Sequence, residues 1–130
     1  MIDRTALFLV ILSMLQSASV SQTGPFYPLE AEKKGIPNIY FGFIIATYAI
    51  VYIFSSIFTG RILSRVGRSR GLRYGLGMLI CQLILLGSLY FVNNSNVFIA
   101  MSFLAQILGG IGAGANSTCS IAVISSFFPE

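Results

Sequence analysis

Four stretches of the chain, residues 6–27, 39–60, 74–92 and 97–128, contain no charged side chain. A bilayer core about 30 Å thick takes roughly 20 helical residues to cross, and each stretch approaches or exceeds that length. The second and third are rich in Ile, Phe, Tyr and Val, which favour strands in water. Ordinary strands are much shorter than these runs. In lipid, every backbone N–H and C=O must also find its partner inside the protein, which a helix provides along its own length. The expectation is an all-α membrane protein with four transmembrane helices.

Charge supports this and orients the spans. Charged residues make up 9% of the chain, against about 25% in soluble domains. Five of the eight basic residues, Arg61, Arg65, Arg68, Arg70 and Arg73, fall within residues 61–73. An arginine at mid-bilayer costs about 2.5–3.5 kcal/mol on insertion scales, so this loop stays in water. The positive-inside rule places it in the cytoplasm, with both termini on the same side. The loop at 28–37 carries Glu30, Glu32, Lys33 and Lys34 and sums to zero, and the loop at 93–96 is uncharged. Both are expected on the opposite side. The net charge of +4 is thus a topology signal, not a nucleic-acid signature.

Most catalytic chemistry is excluded. The chain has no histidine, and its acids are Asp3, Glu30, Glu32 and Glu130. No Ser–His or Cys–His pair can form, and no His-based metal site exists. We expect no enzyme activity, no cofactor and no metal. Cys81 and Cys119 lie in apolar runs and read as packing residues. Residues 1–24 also carry a signal-peptide pattern, with Arg4, an apolar run and small residues at 17–19, although Asp3 weakens it. Cleavage of these residues stays open. Asn93-Asn94-Ser95 is a formal glycosylation sequon, read as unmodified because it sits at the membrane surface.

Polarity is unevenly shared among the spans. Ser13, Gln16 and Ser17 share one face of the first, and Gln106, Gly110, Ala113 and Ser117 share one face of the fourth. Asn116 adds a second amide there. Gln82 is the main polar exception in the third span. Amides in hydrocarbon face protein or a water-filled cavity. Two readings stand: a polar path between the first and fourth spans, with Gln16, Ser13, Ser17, Gln106, Asn116 and Ser117 as candidates, or interhelical hydrogen bonds alone. Gly110, Gly112 and Gly114 in the run 109–115 predict close helix packing. No span holds a carboxylate, the group a proton-coupled carrier uses to hold its proton.

The order of helices and loops resembles the opening third of a major facilitator superfamily transporter. Gly60-Arg61-Ile62-Leu63-Ser64-Arg65-Val66-Gly67-Arg68 resembles the family's conformational motif between its second and third helices. Gly60, Arg65, Gly67 and Arg68 match in register, whereas Ser64 replaces the family's acid and brings no charge. In the fourth span Gln106 stands where the family carries an arginine implicated in proton coupling, so that role is not carried over. Residues 24–35, Gly-Pro-Phe-Tyr-Pro-Leu-Glu-Ala-Glu-Lys-Lys-Gly, look closest to the vesicular amine and polyamine branch.

The resemblance implies a secondary transporter for a small organic solute, an amine or polyamine being suggested, working by alternating access. It covers four of the usual twelve helices. The expected partners are the bilayer, the solute and the remaining helices of a full transporter, in a plasma or vesicle membrane. The alternative is a self-contained four-helix protein, a small exporter subunit or a scaffold.

Overall fold

The computed structural model describes residues 2–127. Four helices account for most of them: α1 (Ile2–Lys33), α2 (Ile39–Val66), α3 (Arg68–Ser88) and α4 (Ser95–Phe127), with a short 3-10 turn at Leu89–Phe91 after α3. All four are long and apolar enough to cross a membrane.

α1 and α2 outrun the apolar spans that announced them. α3 begins earlier than its span and ends at Ser88, short of residue 92, and the expected end of the fourth span at 128 lies outside the described residues. α1 continues through Pro25 and Pro28 to Lys33, although residues 28–37 read as a loop. Each proline removes one backbone bond. The last turn is held by Lys33 Nζ donating to Glu30 Oε1 at 3.0 Å and by the burial of Tyr27 and Ala31. The helix then stops at Gly35, whose φ of +69° suits a residue without Cβ. There the Gly35 amide donates to Glu32 O at 3.1 Å and the Ile36 amide to Ala31 O at 3.0 Å. These two bonds form a Schellman stop, completed by burial of Ile36 with Ala31.

The basic segment differs more from expectation. Residues 61–73 read as a loop, yet 61–66 end α2 and 68–73 begin α3. Gly67, at φ +87°, is the joint between them. Arginine is a good helix former, so its charge keeps the segment in water without unwinding it. All five arginines are exposed, and none makes an ion pair among the described residues.

α4 is the centre of the bundle. Half of its most apolar window is buried, against 6% for α2. α2 and α3 pack on different faces of it, and α1 rests more lightly against α3 and α4. Glycine makes this placement fit. A Cβ on Gly110 would lie 3.0 Å from Tyr48 O, and one on Gly114 2.8 Å from Tyr52 O, both on the α2 backbone. One on Gly112 would lie 2.8 Å from Gly75 O on α3. Backbone meets backbone on both sides.

The end of the bundle opposite the arginines is tied by one cation. Lys34 Nζ donates to Leu89 O at 3.0 Å and to Val92 O, capping the carboxyl end of the third span. It also lies 4.6 Å from the Phe98 ring centroid. Ser95 Oγ donates to Lys34 O at 3.3 Å. Tyr27 stacks between Phe41 and Phe98 at 5.7 and 5.4 Å. Lys34→Met is therefore expected to cost about 1–2 kcal/mol, from the lost carbonyl and ring contacts together. A lower thermal midpoint in detergent, with Glu32→Gln unchanged as a control, would show it.

Candidate functional site

The face that α1 turns to α4 carries a groove of about 570 Å³ lined in part by Leu9, Val10, Ser13, Ser17, Ser120 and Ile124. Beside it, Gln16 Nε2 donates to Ser117 Oγ at 3.3 Å. This side-chain hydrogen bond joins α1 to α4. Ser13 Oγ donates back to Leu9 O at 2.9 Å, leaving oxygen lone pairs toward the groove. Ser13 and Ser17 are exposed, and Gln16 and Ser117 are half-buried. Apart from these serines the walls are aliphatic or aromatic. A groove of this kind suits the apolar body of a small amphipathic molecule, with a few uncharged hydrogen-bonding groups to orient it.

Four of the expected path residues, Ser13, Gln16, Ser17 and Ser117, thus lie along one seam. The other two do not. Asn116 is fully buried in the seam between α4 and α3, where a Cβ on Gly75 would run into its Oδ1. Asn116 is one residue before Ser117, and one step along a helix turns the side chain by about 100°, away from α1. Gln106 borders a separate cavity of about 110 Å³ with Val20, Thr23, Gly24, Ile45, Tyr48 and Gln82. Gln82 stood out in the sequence as a lone amide in an otherwise apolar run, but nothing there paired it with Gln106 or announced a cavity.

Gln82 and Asn116 are arranged alike. A Cβ on Gly109 of α4 would meet the Gln82 amide of α3, and a Cβ on Gly75 of α3 would meet the Asn116 amide of α4. The two pairs are seven residues apart on both helices, so each amide crosses the antiparallel seam onto a glycine two turns from the other. The motif residues do different work. Gly67 is the joint between α2 and α3, and Gly60 faces Thr118 of α4, whose Cγ2 would lie 3.9 Å from an added Cβ. Ser64, Arg65 and Arg68 are exposed. Cys81 and Cys119 are free thiols, the first exposed and the second buried. Among the described residues no group of His, Cys, Asp or Glu is placed to hold a metal ion.

Comparison with known proteins gives a consistent result. The family description "Major Facilitator Superfamily" matches residues 7–130. The chain is 36% identical over 107 residues to the mouse "MFS-type transporter SLC18B1", covering 82% of this chain and 23% of that protein. The rat protein of the same name is 37% identical over 107 residues, and the human one 34%. The chain thus spans about a quarter of the length of the curated relatives it matches. No solved structure matches it.

Proposed function

The chain belongs to the major facilitator superfamily, and on that premise we propose that it forms the N-terminal part of a secondary transporter moving a small organic solute by alternating access. It is a multi-pass membrane protein of a transporter family, with four helices of the twelve-helix fold. The observation that carries the finer reading is the Gln16–Ser117 bond beside the serine-lined groove. Each six-helix half of such carriers is built from two inverted three-helix repeats. On that plan α1–α3 form one repeat, and α4 opens the next as the counterpart of α1. α1 and α4 then line the path, while α2 and α3 brace α4 from behind. The arginine segment lies in the cytoplasm, together with both ends of this segment.

The proposed solute is an amine or polyamine, following the relatives' branch suggested by residues 24–35. The groove supplies it with hydroxyl contacts, and Gln16 beside it with an amide, but no counter-ion among the described residues. A cationic solute would therefore draw its carboxylate from the helices that face this bundle. The same absence leaves proton coupling to those helices. We assign the chain a transport role and no enzymatic one.

Purified and reconstituted alone in liposomes, these 130 residues are expected to give no saturable uptake of a radiolabelled polyamine such as spermidine. Saturable uptake by the isolated chain, abolished by Gln16→Leu, would overturn the proposal and revive the self-contained four-helix reading.

A further inference from the structure

The small cavity around Gln82 and Gln106 holds no place in the path described above. Gln82 is 1% exposed and Gln106 3%. Gln82 Oε1 is buried with no hydrogen-bond partner. An amide oxygen left bare in an apolar medium costs several kcal/mol, and lipid offers it no donor. Its position is not a loose rotamer. The amide lies against Gly109, where any Cβ would displace it, so the glycine makes room for this side chain to reach the cavity.

The cavity is polar where it needs to be. Gln106, Tyr48 and Thr23 border it with Gln82, while Val20 and Ile45 supply apolar wall. Thr23 Oγ1 donates to Ser19 O at 3.4 Å and retains acceptor capacity. Buried water takes about three hydrogen bonds and fills roughly 30 Å³ per molecule. A space of about 110 Å³ with four polar side chains on its wall meets both conditions. It suits an organic cation poorly, because no carboxylate borders it and a stripped ammonium would be left uncompensated.

We propose that this cavity is an internal hydration site, in which ordered water donates to Gln82 Oε1 and bridges it to Gln106 at the meeting point of the four helices. Water there satisfies the amide without a rigid protein partner. It can exchange partners as the glycine-rich stretch of α4 shifts against α2 and α3.

The test uses the full chain in lipid bilayers, with magnetisation transferred from mobile water to side-chain amides in solid-state magnetic resonance. The Gln82 side-chain amide is expected to build up several-fold faster than the fully buried backbone amide of Ala113, approaching the rate of exposed Asn94. Gln82→Met should slow the build-up at Gln106. Build-up at Gln82 no faster than at Ala113 would overturn the proposal, and that comparison needs only the wild-type chain should the variant fail to fold. Loss of the water signal on adding spermidine would overturn it too, by showing the solute in this cavity.

Discussion

Leucine at Gly114 is expected to abolish cooperative folding of the bundle. The first atom of any side chain there would lie 2.8 Å from Tyr52 O and 2.9 Å from Ser55 Cβ, so even alanine forces α2 away from α4. Alanine should cost about 1–3 kcal/mol, the usual range for overpacking. Leucine adds three more carbons in the same direction. Separation would also break the bond from Ser55 Oγ to Ile111 O, now 2.9 Å. Thermal unfolding can be followed with a thiol-reactive fluorophore reading the buried Cys119 in a Cys81→Ala background. The wild type should give a cooperative transition, and Gly114→Leu should give reaction at the lowest temperature. Gly77 is the control, since a Cβ there meets nothing within 4 Å, and Gly77→Leu should unfold like the wild type. Equal transitions for both leucine variants would remove glycine contact as the reason α4 sits where it does.

Replacing all five arginines of residues 61–73 by glutamine is expected to invert or scramble the chain in the membrane. Those arginines hold the bias. Without them Arg4 is left on the proposed cytoplasmic side against Lys33 and Lys34 on the other, and the rule then favours the opposite orientation. In sealed microsomes an impermeant maleimide should label Ser69→Cys and spare Asn94→Cys, both in a cysteine-free background. In the five-glutamine chain, labelling should shift to Asn94→Cys in a large share of molecules. The five side chains are exposed and make no ion pair among the described residues, and the side-chain bond that glutamine gives up is the one from Arg73 Nε to Ser69 O at 3.4 Å. An unchanged pattern would show that orientation is set elsewhere.

The four spans were legible because lipid allows few alternatives: long charge-free runs must be helices, and arginines must sit outside. Where the helices end was less legible. Pro28 argues for a loop in a local reading, and the stop at Gly35 depends on a contact between Ile36 and Ala31 within a cluster that the tertiary fold assembles. Charge located the basic segment in water but carried no information on its helicity. The grip of Lys34 on Leu89 and Val92 links residues more than fifty positions apart, and no local pattern announces it.

The site was legible as faces rather than as neighbours. Periodicity put Gln106, Gly110 and Ser117 on one stripe of α4. α4 is covered on several sides, so that stripe meets more than one partner: Gly110 lies against α2, Ser117 against α1, and Gln106 borders a cavity reached from all four helices. Asn116 looked like a path residue because intramembrane amides usually seek water or protein. It packs instead against Gly75 of α3, with both amide atoms buried and without a hydrogen-bond partner.

The central claim is that α1 and α4 line a transport path through Gln16 and Ser117. Its most direct test is a chimera in which this chain replaces the matching segment of the mouse relative, reconstituted in liposomes and assayed with that relative's own solute. The account predicts saturable uptake by the chimera, lowered about tenfold by Gln16→Leu, equivalent to ~1.4 kcal/mol of lost stabilisation in the rate-limiting step. Asn116→Leu should alter stability before uptake. Uptake unchanged by Gln16→Leu in a chimera that carries the solute would contradict the assignment of the path to this seam.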